Sequence, residues 1–448
     1  MRLRPLTILS SLSLVLALSC STDGDERPTA APTATSPTTA GQDRDQDLLA
    51  AEATVEALTQ GPAPTLLAAT VGRLRAGGPA RLDALIAHYH RTLPDPEADP
   101  ARDQAWRELI DAVAGQRDAV YGGLYWERDL ADAQARARAE GKPILSLRLL
   151  GELTSSYSCA NSRLFRTVLY ADPELAAWLE DNFVLHWSSE RPVPQLAIDF
   201  GDGRVVRRTI TGNSAHFVLD GEGRVVDVLP GLWSPVAFRQ ALESSLALHG
   251  ALAPLEDDER LAALAVLHET RFEADAARLG DEMARIRRRP DPEALRAWLR
   301  SPPGDGSRVA AVEAVPMAIG KAKIEAPILG AATRELGGRP SQRFVSPGPA
   351  DDLERLMIGQ RLAAIDELPA SSLAIIAEEQ PLDALIPASE REEAMNRLVA
   401  GLLESIRQDT AKNALELAPR VHSELARRAR EGEALDFESV DRWLYAEL

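Results

Sequence analysis

The chain has 448 residues, a formal net charge of −18 at pH 7 and only two cysteines. This length allows two or three domains with cores of their own. The acidic balance argues against a protein that binds nucleic acid or covers a large anionic membrane surface, and two cysteines are too few for a disulfide scaffold.

The first 20 residues predict a secretion signal. Arg2 and Arg4 precede an apolar stretch, residues 6–18, which is shorter than the about 20 residues that span a bilayer. The closing letters ALSC resemble the lipobox of bacterial lipoproteins, with Ala17 where the family usually has leucine. The resemblance implies that Cys20 becomes an acylated N-terminus, which anchors the protein to a membrane of the bacterial cell envelope, on the periplasmic or extracytoplasmic side. A plain signal peptide with a coincidental cysteine is the alternative.

The next two segments differ in composition. Residues 21–45 are rich in Thr, Pro, Ala and Ser and have few bulky apolar side chains, so they predict a disordered tether. Residues 46–118 carry apolar side chains at helical spacing, such as Leu82, Leu85 and Tyr89, with glycines and prolines between the runs. We therefore expect a helical region of short helices here.

Strand-like runs appear only between residues 119 and 250. The predicted strands are residues 143–147, 183–187, 196–200, 215–220 and 224–229. Predicted helices cover residues 127–140, begin after the cap Asp172, and begin after the cap Ser234. The sequence G-x-G-R-V-V occurs twice, and each copy predicts a hairpin whose tight turn is Asp202-Gly203 or Asp220-Gly221. Neither copy has the third glycine and the following helix of a nucleotide-binding loop.

Helical patterns return in residues 251–448. Amphipathic runs cover residues 352–368, 389–406 and 413–430, and these predict a helical C-terminal domain. Residues 337–349 are rich in glycine, proline and serine, which predicts a flexible link within this half.

In the central region a cysteine at a helix start follows the first long strand, and a strand with a D-G-E-G-R hairpin comes later. Together with the segments GKPILSL and NSAHFVLDGEGRVV, this order resembles the thioredoxin-like family over about residues 125–250. The resemblance implies an α/β thioredoxin-like central domain, residues 119–250, flanked by all-α N-terminal and C-terminal regions.

The resemblance also assigns candidate site residues. Cys159-Ala160-Asn161-Ser162 falls on the family's C-x-x-C motif with only the first sulfur kept, so Cys159 is the candidate nucleophile and Ser162 a degenerate second position. Ser214 falls on the family's cis-proline position, and His216, two residues later, is a candidate base.

Two arginines follow the cysteine. The N-terminal end of a helix favours a thiolate, and Arg163 and Arg166 are expected to share the helix face with Cys159 and to stabilise its ionised form. We therefore expect monothiol thiol–disulfide exchange between Cys159 and envelope proteins or small thiols. The alternative is a redox-inactive adaptor, or interaction protein, in which Cys159 is buried and inert. The sequence Ser156-x-x-Cys159 also matches the S/T-x-x-C arrangement of peroxidases, but Glu152 stands where that motif has an upstream proline.

The sequence predicts no cofactor and no metal site. His88 and His90 are two residues apart, which places them on nearly opposite faces of a helix. The carboxylates of residues 95–103 alternate as in a calcium loop, but Pro100 stands where such a loop needs glycine.

Overall fold

A computed structural model describes residues 37–193, 195–199, 205–209, 214–286, 288–301, 352–379, 388–433 and 435–447. The predicted signal peptide with Cys20, residues 21–36 of the predicted tether, the link at 337–349 and the turn pair Asp202-Gly203 lie outside these ranges. The chain divides into two units, Met1–Asp45 and Gln46–Leu448. None of the described helices is both long enough and apolar enough to cross a membrane.

Helices fill the N-terminal region, as the spacing predicts. They are α1 (Pro37–Gln60), α2 (Pro64–Ala76), α3 (Pro79–Thr92), α4 (Pro100–Ala114) and α5 (Ala119–Gly122). The first four begin at a proline, whose missing N–H costs nothing at the first helical position. Helix α1 begins within the segment predicted as tether, since residues 37–45 are helical. Helices α1 to α5 pack around an apolar core of their own, with Val55, Leu74 and Trp106 fully buried.

A mixed sheet forms the centre of the second unit. Its strands, with those of a separate two-stranded sheet, are β1 (Trp126–Glu127), β2 (Ile144–Leu149), β3 (Val184–Ser189), β4 (Gln195–Asp199), β5 (Val205–Thr209), β6 (Ala215–Leu219) and β7 (Val225–Pro230). The five-stranded sheet has the order β1-β3-β2-β6-β7. Strands β1, β3 and β2 are parallel to one another. Strand β6 pairs with β2 in antiparallel register, and β7 pairs with β6 in antiparallel register. Strands β4 and β5 pair with each other in antiparallel register. All five predicted strands are confirmed, whereas β1 is too short for its pattern to be recognised.

The helices described in this region are α6 (Leu130–Glu140), α7 (Ala160–Leu164), α8 (Pro173–Asn182) and α9 (Pro235–Leu252). Helices α8 and α9 begin after the predicted caps, whereas α6 begins three residues after the predicted start at residue 127, because Trp126–Glu127 form strand β1. Helix α7 continues as a π-helical segment, Phe165–Tyr170. The Asp172 carboxylate accepts hydrogen bonds from the Glu174 and Leu175 amides, and the Ser234 hydroxyl accepts one from the Ala237 amide. These bonds satisfy amides that have no partner within their own helix.

The turn between β6 and β7 differs from the prediction. Gly221 and Glu222 form the turn, and Gly223 is the residue with positive φ, at +79°. Asp220 lies outside the central pair and accepts the amides of Glu222 and Arg224 through its carboxylate. The predicted pair Asp220-Gly221 is therefore wrong by one residue, because the left-handed position that requires glycine follows the turn rather than lying within it.

The C-terminal helices share a core with the sheet. They are α10 (Asp257–Arg285), α11 (Pro292–Arg300), α12 (Asp352–Leu362), α13 (Ala370–Glu379), α14 (Arg391–Lys412), α15 (Ala418–Glu431) and α16 (Phe437–Glu447). The Phe217 ring of β6 packs edge-on against Phe437, with centroids 4.9 Å apart, and the Val225 amide of β7 donates to the Leu435 carbonyl. The fold is thus an α/β assembly among helical regions. The predicted boundary near residue 250 marks a change from mixed α/β structure to helices. It does not divide the hydrophobic core, because buried residues on both sides of it belong to one cluster.

Gly122 allows helix α5 to approach the π-helical segment closely. A Cβ atom at residue 122 would lie only 1.9 Å from the Tyr170 carbonyl oxygen. We expect Gly122→Ala to lower the free energy of unfolding by about 1–3 kcal/mol, the usual cost of overpacking, as measured by urea titration. Gly250→Ala is the matched control, since a Cβ there meets nothing within 4 Å. An equal loss in both variants would contradict this explanation.

Candidate functional site

Cys159 lies between strand β2 and helix α7. It is the N-cap residue of α7, and its amide donates to the Leu150 carbonyl across the intervening loop, at 3.1 Å. Its own carbonyl accepts the Arg163 amide and so begins the helical hydrogen bonding. The sulfur is therefore held at a helix start, as the sequence predicted.

The structure brings Cys159, Ser162 and Ser214 together. The Cys159 Sγ lies 3.0 Å from the Ser214 Oγ and 3.5 Å from the Ser162 Oγ. The Ser162 hydroxyl also donates to the Cys159 carbonyl, at 2.9 Å. The residue expected at the degenerate second position and the residue expected at the cis-proline position therefore both contact the sulfur through hydroxyl groups.

The sulfur is enclosed on the remaining sides. Cys159 has no exposed surface, and it forms a small apolar cluster with Leu150 and Val193. The Thr209 hydroxyl of strand β5 donates to the Ser158 carbonyl, at 3.0 Å, next to the cysteine. The segment that follows β3 and the strand β5 thus cover the site. A thiol must be accessible to attack a disulfide, and this arrangement denies access.

The two arginines differ in their partners. An Arg163 Nη atom lies 3.4 Å from the Thr209 hydroxyl. The Arg166 side chain is fully buried and forms ion pairs with Asp118 and, at 3.1 Å, with Glu379. The charge of Arg166 is therefore balanced by two carboxylates, which differs from its predicted role beside a thiolate. Helical spacing predicted that Arg166 shares a helix face with Cys159, but it could not predict Asp118 and Glu379, which are distant in the chain.

His216 is buried within the core. Its Nε2 atom lies 2.6 Å from the Tyr170 hydroxyl, and its ring packs against Phe165 and Phe238 with centroids 4.7 Å away in each case. Burial lowers the pKa of His216 to about 3, so the imidazole is neutral. None of its hydrogen bonds within the described residues reaches Cys159, and a general base needs that contact or one bridging water.

Sequence reasoning missed a second cluster of titratable groups. Asp227 of β7, His268 of α10 and His422 of α15 are buried together, with one possible metal-ligating atom from each within 4.8 Å of the others. The three residues are far apart in the chain, so no motif spacing indicates them. Their meeting follows from the packing of α10 and α15 on the sheet, which the sequence pattern does not predict.

Comparisons with protein-family models, with curated proteins and with solved structures found no match for the chain.

Proposed function

We propose that this chain is a thioredoxin-like protein of the bacterial cell envelope that serves as a redox-inactive adaptor for other envelope proteins. A lipid on Cys20 anchors it to the membrane on the periplasmic or extracytoplasmic side, and the segment rich in Thr and Pro separates the folded part from the lipid surface. The observation that carries the proposal is the complete burial of the Cys159 sulfur.

The order of elements supports the thioredoxin-like part of this proposal. Strand β2 leads to a cysteine at the start of helix α7, helix α8 leads to β3, and an antiparallel pair, β6 and β7, leads to helix α9. This is the order on which the sequence resemblance rests. The β4 and β5 pair lies between β3 and β6 in the chain, and β5 contributes Thr209 to the cover of the cysteine.

The surroundings of Cys159 support an inert thiol rather than an exchanging one. The hydroxyl of Ser214 satisfies the sulfur by hydrogen bonding, and Leu150 and Val193 exclude water from it. A mixed disulfide at Cys159 would place a second sulfur within this packed volume. Ser162 has no sulfur to release such an adduct. A disulfide therefore cannot reach the Cys159 sulfur, and the motif has no second thiol to complete the exchange.

The proposal predicts that Cys159 resists alkylation in the folded protein. In the full chain with Cys20→Ser, iodoacetamide is expected to label Cys159 only as denaturant unfolds the protein, because the sulfur has no exposed surface. Intact-mass measurement of the labelled fraction over time, at several urea concentrations, gives the rate. We expect the rate to follow the unfolded fraction.

A thiol two residues away is the matched control. Tyr157 is 43% exposed, so a chain with Cys20→Ser, Cys159→Ser and Tyr157→Cys should be labelled at once without denaturant. If Cys159 is labelled in the native protein as fast as this control thiol, the adaptor proposal fails and monothiol exchange replaces it.

Monothiol exchange is the second candidate function because the sulfur lies at a helix start beside the Ser214 hydroxyl. This function requires the segment around Val193 to open. Its signature is a mixed disulfide with an envelope protein or a small thiol, found on Cys159 after acid quenching of cell extracts and absent in Cys159→Ser.

A further inference from the structure

The buried groups Asp227, His268 and His422 lie where three elements meet. Strand β7 supplies Asp227, helix α10 supplies His268, and helix α15, which packs along α10, supplies His422. All three residues are buried, and His268 has no exposed surface. Two imidazoles and a carboxylate are ligands that zinc takes in proteins.

The spacing of the three groups suits one metal ion. The His422 Nε2 and the Asp227 Oδ1 are 3.5 Å apart, and the two imidazole rings have centroids 5.4 Å apart. Ligand atoms bound at about 2.0–2.2 Å in a tetrahedral arrangement lie about 3.3–3.6 Å from one another. The widest separation, within 4.8 Å, reaches that spacing after a side-chain shift of about 1 Å.

The other atom of each group is held by an outer partner. The His422 Nδ1 lies 2.9 Å from an Asp275 carboxylate oxygen, and the His268 Nε2 lies 2.9 Å from the Val226 carbonyl. Both acceptors require the ring nitrogen to carry its proton. Imidazole ligands of metals are oriented in this way by carbonyl and carboxylate groups.

Asp227 is oriented in the same manner. Its Oδ2 atom accepts hydrogen bonds from the Ser245 hydroxyl and from Arg271, both at 2.6 Å. Its Oδ1 atom is the one that faces His422. The Oδ1 atom also accepts the Val228 amide, at 2.9 Å. The arginine and serine therefore hold the oxygen that a metal would not use, and the second lone pair of Oδ1 is the one offered for coordination.

The Nδ1 atom of His268 is independent evidence for a ligand at this cluster. Because its Nε2 donates to the Val226 carbonyl, its Nδ1 atom keeps a free lone pair. This atom is buried and has no hydrogen-bond partner among the described residues. A buried acceptor without a partner is costly, and a metal ion would satisfy it.

We propose that Asp227, His268 and His422 form a buried zinc site that ties helices α10 and α15 to strand β7. The ligand atoms are the Asp227 Oδ1, the His268 Nδ1 and the His422 Nε2, and a water molecule completes the four-coordinate shell. Three protein ligands and a water are the shell typical of catalytic zinc sites, but the burial of all three residues gives a substrate no access, so we assign the site a structural role. In such a site the free energy of metal binding adds to the stability of the fold.

The test uses the full chain after dialysis against a chelator. Titration with zinc chloride in competition with a chromophoric chelator is expected to show one tightly bound zinc ion per chain and a higher thermal midpoint. Cobalt(II) is expected to give the intense visible absorption of a tetrahedral site. We expect His268→Gln and His422→Gln to weaken zinc binding by more than 100-fold, and Asp275→Asn by about 10–100-fold, as outer-shell changes do.

The chain contains a matched control pair. The His88 Nε2 lies 2.8 Å from a Glu52 carboxylate oxygen in the N-terminal region, so His88→Gln removes a comparable contact far from the cluster and should leave zinc affinity unchanged. The proposal fails if the wild-type chain binds no zinc, or binds it equally well after His268→Gln and His422→Gln. If these two variants are unfolded, Asp275→Asn decides, and unchanged affinity in this variant overturns the proposal. The cluster is then an ion-pair network of Asp227, Arg271 and His422.

Discussion

Arg166→Met is expected to lower the free energy of unfolding by about 3–5 kcal/mol, the usual cost of breaking a buried ion pair. The Arg166 side chain has no exposed surface, and its partner Asp118 is only 8% exposed. Methionine fills much of the same volume but leaves the buried Asp118 carboxylate with only the half-exposed Arg117, 3.6 Å away, as a cation. Urea titration, followed by far-UV circular dichroism, measures the loss.

The same side chain joins three parts of the fold. Arg166 belongs to the π-helical segment after α7, Asp118 precedes α5, and Glu379 ends α13. The Ser371 hydroxyl of α13 also donates to the Ala171 carbonyl at the end of that segment, at 2.6 Å. We therefore expect the loss in Arg166→Met to be accompanied by faster proteolysis at α13.

Two further variants separate charge from packing. Arg166→Met with Asp118→Asn removes both charges and should recover part of the loss, since asparagine tolerates the positive φ of 62° at residue 118. Arg397→Met removes an arginine from an exposed pair with Glu393 and should cost less than about 1 kcal/mol. A loss in Arg166→Met no greater than that in Arg397→Met would show that the buried pair contributes little.

Local patterns predicted the parts of the fold that depend on local interactions. Asp172 and Ser234 are found as helix caps because a cap bonds to amides only two or three residues away. The largely apolar runs that begin β2, β3 and β6 mark strands buried on both sides. The sequence also indicated Ser214 as a candidate partner of Cys159, and their side chains lie 3.0 Å apart.

Long-range packing explains what the sequence did not predict. Nothing in the spacing around Cys159 indicates that Val193 and Thr209 cover it, since these residues come from the chain after β3 and from β5. The acids that bind Arg166 are likewise distant in the chain. Asp227 and His422 meet only because α15 packs against β7, so their common site is visible in the structure alone.

His216 is expected to make the fold sensitive to acid. Its pKa is about 3 in the folded protein because of burial, against about 6.5 in the unfolded chain. The unfolded state therefore binds the proton first, and the stability that the neutral ring provides is present above about pH 6.5 and lost as the pH falls towards 3. The loss amounts to about 1.4 kcal/mol for each pH unit, or about 3 kcal/mol at pH 4. Urea titrations of wild type and His216→Gln from pH 7.5 to pH 4 measure the difference.

The comparison with His216→Gln isolates this one group, because every other titrating side chain is common to both chains. The amide of glutamine keeps a polar partner for the Tyr170 hydroxyl, which otherwise bonds to the imidazole. Relative to wild type, the variant should be least stable at pH 7.5 and should gain steadily below pH 6.5. His90→Gln, at an exposed position of α3, is the control for replacing a histidine by glutamine outside the core. Parallel curves for wild type and His216→Gln would mean that the imidazole becomes protonated without unfolding, which its enclosure by Phe165 and Phe238 argues against.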